Sequence, residues 1–174
     1  DMPAAQRQRF VSNIDAESER LQQSIERLLN LAMVEQRQGL EDQQSLELAA
    51  VLQALLHAQE ARLQARGLRV ECQVDGALRL AGEPFLLRQA LGNVLDNAMD
   101  FTREGGLIRV SAGPGEIVVF NEAEPVPEYA LARLTERFYS LPRPATGRKS
   151  TGLGLNFVEE VLHLHGGSLQ VRNV

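Results

Sequence analysis

Two asparagines four residues apart, Asn93 and Asn97, are the first side chains in this sequence with a spacing that suits chemistry. On a helix that spacing puts both amides on one face. A neutral amide oxygen suits Mg²⁺, which keeps several waters and takes only one or two protein ligands beside nucleotide phosphates. A solvated helix face would carry the same pair. The neighbours favour the first alternative, because apolar Leu91, Val94, Leu95 and Ala98 surround the pair and should leave at least one amide partly buried. Downstream, Ser150-Thr151-Gly152-Leu153-Gly154-Leu155 sets small residues and two glycines ahead of a helical run. Such a segment lets backbone N–H groups and a positive helix end approach phosphate oxygens closely, and Arg148 and Lys149 add cationic charge beside it. Without a ligand, the same residues make a flexible connector. The segment is not a Walker A loop, which needs Gly-Lys-Ser/Thr, and it is not a dinucleotide fingerprint, because a loop precedes it where a strand is required.

The elements that must position these residues follow from periodicity. Between Ala5 and about Arg37 there is no Gly or Pro, and Phe10, Ile14, Leu21, Ile25, Leu28 and Ala32 recur at helical spacings, which predicts one long helix with a narrow apolar seam. A lone helix cannot bury that seam. Pairing with partner helices in a bundle or coiled coil would cover it, as would lying along its own domain. Polar residues around Gly39 end the seam, which predicts a linker over 39–45 and a second unit over 46–174. Within that unit the pattern predicts a helix from Leu46 to Gly67, a strand over Leu68 to Val74, a short strand over Leu78 to Leu80, and a helix from Glu83 to Phe101 with Pro84 in its first turn. A hairpin follows, Leu107 to Ala112 and Glu116 to Phe120 about Gly113-Pro114-Gly115. Asn121 to Pro127 reads as irregular, Tyr129 to Glu136 as a short helix, Ser140 to Thr151 as a mobile loop, Leu153 to His165 as a helix, and Ser168 to Val174 as a strand. Strands and helices alternate without the regular period of a parallel array. The expected fold class is therefore α+β, an α/β sandwich of one mixed sheet with helices on one face.

Four segments taken in order carry a family resemblance: Leu91-Gly92-Asn93-Val94-Leu95-Asp96-Asn97-Ala98, Glu136-Arg137-Phe138-Tyr139, Thr151-Gly152-Leu153-Gly154-Leu155 and His165-Gly166-Gly167. Together they resemble the N, F and G2 boxes of sensor histidine kinases and the helix end that follows them. The resemblance covers about Ser45 to Val174. Residues 1–38 resemble the second helix of the family's dimerisation and phosphotransfer hairpin. Within the family, the runs around Asp96 to Thr102 and Phe138 to Pro142 resemble CreC-type sensors.

The resemblance implies a Bergerat-type ATP-binding fold using ATP and Mg²⁺, with Asn97 as the Mg²⁺ ligand and Asn93 beside the triphosphate. Phe138 and Tyr139 would anchor the base of an ATP lid formed by Ser140 to Thr151, and Gly152 and Gly154 would let it close. Further nucleotide contacts are implied at Asp100, Phe101, Asn121, Val126, Lys149, Ser150, Thr151, Leu153 and Leu155. Asp100 stands where many family members carry Lys, and reads either as an outer ligand of Mg²⁺ or as a solvated helix end. Hydrolytic cousins such as gyrase and the heat-shock chaperones resemble this pattern but place a water-activating Glu where Asn93 stands. An amide is a poor base, so the site is expected to hold ATP for transfer to a protein side chain. The implied partners are a second copy, through residues 5–37, and a response regulator.

Two departures from the family pattern stand out. Its G1 box places an Asp, then glycines at the second and fourth following positions, where this chain has Asn121-Glu122-Ala123-Glu124-Pro125-Val126-Pro127. Asn121 can accept a hydrogen bond from the adenine amino group, but without charge. Ala123 resists positive φ, and Pro125 removes an N–H and fixes φ. Together these changes should cost on the order of 2 to 4 kcal/mol, roughly 30-fold to nearly 1,000-fold in affinity. The expected result is weakened ATP binding, or a nucleotide-impaired pseudokinase or interaction module with the same fold. The second departure is the phosphoacceptor. None of His57, His163 and His165 is followed by an acidic residue and, four places on, by Pro, so the acceptor is expected upstream of Asp1, and the catalytic domain over 46–174 is expected to lack the family's closing strand, which would follow Val174. His57 reads as a surface or half-buried helix residue and His165 as a structural one.

Composition excludes other classes. A formal net charge of −5 opposes general affinity for phosphate backbones, so no nucleic-acid partner is expected. The one cysteine, Cys72, rules out an internal disulfide or a cysteine metal cluster and reads as a small core residue in a reducing compartment. No apolar run approaches the roughly 20 residues of a membrane span. The expected location is the cytoplasmic portion of an inner-membrane sensor whose membrane part lies outside this sequence.

Overall fold

The computed structural model describes residues 3–174; Asp1 and Met2, the first residues of the expected hairpin helix, lie outside the described residues. The first helix, α1 (Ala4–Glu35), runs 32 residues without a break, as a stretch free of Gly and Pro should. Its seam divides into two parts. Phe10, Ile14, Leu21 and Ile25 are 49–59% exposed, whereas Leu31 and Val34 near the helix end are buried. The C-terminal two turns therefore lie on the chain's own domain, and the rest of the stripe is bare.

After α1 come β1 (Gln44–Glu47), α2 (Leu48–Ala58), α3 (Glu60–Ala65), β2 (Arg69–Gln73), β3 (Arg79–Gly82), α4 (Pro84–Phe101), β4 (Leu107–Gly113), β5 (Glu116–Asn121), α5 (Glu128–Leu131) and α6 (Gly154–Leu164). Two expected elements differ. The helix expected from Leu46 to Gly67 is a strand followed by two short helices, because Gln44–Glu47 pairs antiparallel with Arg79–Gly82, a long-range ladder that local propensity does not reveal. Gly67 does end the segment, at φ +60°. The strand expected over Ser168 to Val174 is absent among the described residues. Its alternating pattern supplies no ladder partner, and the tail is held by a side chain instead: Asn173 accepts from the Val126 N–H and donates to the Val126 carbonyl, both at 2.8 Å.

The strands form a two-stranded sheet, β1–β3, and a three-stranded mixed sheet, β2–β4–β5, where β2 runs parallel and β5 antiparallel to β4. Helix α4 joins the two cores. Leu95, Ala98 and Met99 pack with Leu48, Leu52, Ile108 and Val110 between helices and sheet, while Leu86 and Ala90 pack with Leu31, Val34, Phe157, Val158 and Val161 of α1 and α6. Cys72 corrects another expectation. It is exposed, because β2 lies at the edge of its sheet with β4 as its one neighbour, so its side chains are flanked from one side only.

A polar junction fixes α1 to the N-terminus of α4. The Glu83 carboxylate is buried and accepts from Arg37 at 2.6 Å and from the Glu41 N–H at 2.5 Å. Burial pushes this carboxyl up, but those donors outweigh it and hold it below the usual carboxylate range. The Glu83 N–H donates to His165 Nε2 at 3.1 Å, so Nδ1 of that ring carries the proton that meets the Val161 carbonyl at 2.7 Å. His165 is thus structural, and a Cβ on Gly82 would fall 2.4 Å from its ring. His57 is 85% exposed beside Glu60.

Candidate nucleotide site

The N-terminus of α6 meets the middle of α4. Gly154 opens α6 with no side chain capping it, and a Cβ placed there would lie 3.7 Å from Asn93 Oδ1. The absence of a side chain at Gly154 therefore keeps open a space beside the amide. A cleft of about 240 Å³ occupies this junction, bounded by Asn93, Gly92 and Asp96 of α4, by Leu153, Gly154 and Phe157, and by Arg27 and Asn30 of α1. Asn93 and Gly154 thus meet at this cleft, whereas Gly152 does not line it and packs against Phe138 and Tyr139. Asn97 is half-buried one turn further along α4 and does not line this cleft; neither do Phe101, Asn121, Val126 or Lys149.

The lid expected over Ser140 to Thr151 is stapled at its base. Phe138 donates its N–H to the Gly152 carbonyl at 3.1 Å, and Ser140 Oγ lies 2.9 Å from Ser150 Oγ while accepting from the Ser150 N–H at 3.0 Å. Gly152 has φ +67°, and a Cβ on it would meet backbone atoms of Phe138 and Tyr139 at 2.5–2.7 Å. Only glycine fits that close approach. Phe138 holds φ +62° with its ring 69% exposed, so it marks the lid base through its backbone rather than through packing. Tyr139 is half-buried with Arg133 stacked 4.2 Å from its ring centre. Lys149 is exposed and Leu155 half-buried. Thr151 Oγ1 is buried without a hydrogen-bond partner, a hydroxyl that a phosphate oxygen would satisfy.

Asp100 is neither solvated nor free for a metal. Arg62 of α3 and Arg143 of the lid both grip it, Arg143 at 2.6 Å, and Arg62 also reaches Asp96 at 3.0 Å. This chain of charges ties the lid to α4. Arg62 and Arg143 carry no local signal because their shared partner Asp100 lies 38 and 43 positions away, and the wall formed by Arg27 and Asn30 carries none because the polar break around Gly39 sets α1 apart from the domain it docks on.

At the other end of the site, Asn121 closes β5 opposite Ile108 and is half-buried. The next residue turns back, with Glu122 accepting from the Leu107 N–H and from Arg103, each at 3.1 Å. These donors, Arg103 first, hold the Glu122 carboxyl below its ordinary range. Both backbone groups of Val126 are occupied by Asn173. The phosphate end therefore fits Mg²⁺-ATP, with open space, amide groups and the uncapped start of α6. The segment expected at the adenine is tied down at Glu122 and at Val126, with Ala123 to Pro125 exposed between them.

Residues 82–174 match the family described as histidine kinase-, DNA gyrase B- and HSP90-like ATPase. The chain is 41% identical over 170 residues to the sensor protein CreC of Escherichia coli K12, covering 95% of this chain and 35% of that protein; it thus spans about a third of this curated relative. Full-length ShkA, solved in complex with AMPPNP, superposes with a TM-score of 0.77 at 21% identity, covering 99% of this chain and 38% of that one. Histidine kinase ThkA, solved in complex with the response regulator protein TrrA, gives 0.64 at 20% identity over 80% of this chain and 42% of that one. At these identities the superpositions speak for the fold. Among the described residues no helix is long and apolar enough to cross a membrane. With the α+β sandwich, the Asn93–Gly154 junction and the family match in agreement, the chain belongs to the histidine kinase-, DNA gyrase B- and HSP90-like ATPase family, in its sensor histidine kinase branch.

Proposed function

We propose that this chain is the cytoplasmic catalytic portion of a sensor histidine kinase that holds Mg²⁺-ATP along α4 for phosphoryl transfer to a histidine on another segment and then to a response regulator. The observation that carries the reading is the approach of Gly154 to Asn93 Oδ1. Bound Mg²⁺-ATP supplies the phosphoryl group and the charge that offsets its transfer. Asn97 would ligand the metal, Asn93 would orient the phosphates, and Thr151 Oγ1 and the uncapped start of α6 would donate to phosphate oxygens. Asn93 lacks the basicity to activate water, which favours transfer over hydrolysis. The solved complexes of ShkA with AMPPNP and of ThkA with TrrA are consistent with a nucleotide and a response regulator as partners here. The bare stripe of α1 would pair with a second copy.

A second reading, a nucleotide-impaired module, is favoured by one feature: Asn121 to Pro127 lacks the acidic residue and glycines that would shape an adenine pocket, and Asn173 ties Val126 down. Restoring Asn121→Asp, Ala123→Gly and Pro125→Gly separates the two. The repaired chain should gain roughly 30-fold or more in Mg²⁺-ATP affinity by equilibrium titration, from a weakly binding native chain. Micromolar affinity in the native chain would show that the altered segment costs nothing, and no binding by either chain would overturn the nucleotide reading.

A further inference from the structure

Three charged side chains border the cleft, and they are unequally satisfied. Asp96 is engaged by Arg62 at 3.0 Å and by Gln59 at 3.3 Å. Arg27 of α1 and Arg88 of α4 face the same cleft, and among the described residues neither has a carboxylate within ion-pair distance. In a chain of net charge −5, two guanidiniums without an acid on one small cleft contrast with Arg62 and Arg143, which grip Asp96 and Asp100. Asn30, Gln89 and Asn93 add amide donors, and the uncapped start of α6 adds the positive end of a helix. Arg27 is half-buried and Arg88 exposed, so it is the Arg27 charge that is withheld in part from water. The wall it stands on is held in place by Leu31 and Val34 in the core and by the Arg37–Glu83 pair.

Deepening the nucleotide reading on which it rests, we propose that α1 is part of the phosphate site: Arg27, with Arg88 on the same cleft, receives the terminal phosphoryl oxygens of the nucleotide held along α4. Guanidinium forks suit phosphoryl oxygens in geometry and charge. The site is then complete only while α1 is docked on α6, and helix docking and phosphate recognition become one equilibrium. A diphosphate, lacking those terminal oxygens, gains nothing from Arg27.

The test follows amide chemical shifts of the 174-residue chain, native and with the three pocket substitutions, titrated with Mg²⁺-AMPPNP and with Mg²⁺-ADP. Shift titration reads affinities out to the millimolar range. Arg27→Gln should weaken the triphosphate analogue about tenfold while leaving ADP unchanged, as loss of one charge-assisted contact requires, and Arg27→Lys should recover part of the loss. Equal weakening of both nucleotides would make Arg27 merely structural, and no weakening of either would remove it from the site; both results overturn the inference and leave the nucleotide reading intact. If neither nucleotide binds either chain, the nucleotide reading fails and this inference fails with it.

Discussion

Gly152 shows how narrowly one residue is constrained. It combines φ +67° with backbone atoms of Phe138 and Tyr139 within 2.7 Å of where a Cβ would sit, and neither strain can be relieved by a side chain moving aside. Gly152→Ala should therefore cost about 1 to 3 kcal/mol at the lid base, and the Phe138 N–H that donates to Gly152 should exchange with deuterium about tenfold faster or more. Unchanged exchange at Phe138 would mean that the lid base is not stapled as described. Asp100 carries the same lesson from the opposite direction. Its type and position left a metal role and a solvated role open, and its actual partners, Arg62 and Arg143, come from elements that no local pattern connects to it.

At the scale of elements, the junction of α1, the linker and α4 turns on Glu83. A carboxyl whose folded pKa lies below its unfolded value binds its proton less readily when folded. Its stabilising effect is therefore fully present above the unfolded pKa, near 4.3 for Glu, and is lost as pH falls through the lower folded value. Native stability should drop below about pH 4.3 with a contribution that Glu83→Gln removes, as read by chemical denaturation across pH 3 to 7. An identical acid slope in both proteins would deny the linkage. At neutral pH, Arg37→Ala strands a buried carboxylate and should cost about 2 kcal/mol, with the loss concentrated in the docking of α1.

For the whole molecule, the unresolved account is the apolar stripe of α1. Phe10, Ile14, Leu21 and Ile25 are about half exposed or more, and a contiguous bare seam of this kind marks an interface. A second copy would cover it by laying its own α1 against this one. Sedimentation should show a dimer for the native chain and a monomer for the Leu21→Glu, Ile25→Glu double variant, with the melting of the α4–α6 core little changed. A monomeric native chain at high micromolar concentration would refute the assignment.

The sequence by itself determined what depends on local chemistry and short spacing. Helix α4 with its amide pair, the β4–β5 hairpin, the capping glycine at 67 and the glycines ahead of α6 could all be read from neighbours within a few residues, because helix periodicity, turn glycines and box motifs are local in origin. Tertiary structure decided everything set by long-range pairing. Gln44–Glu47 became a strand because Arg79–Gly82 lay beside it, Cys72 was left exposed because its strand fell at an edge, and Ser168 to Val174 kept a strand's alternation without a ladder. Most consequentially, the fold brought α1 against α6 and set Arg27 on the cleft beside Asn93. No spacing along the chain encodes that meeting, since it rests on Leu31 and Val34 finding an apolar surface more than a hundred residues away.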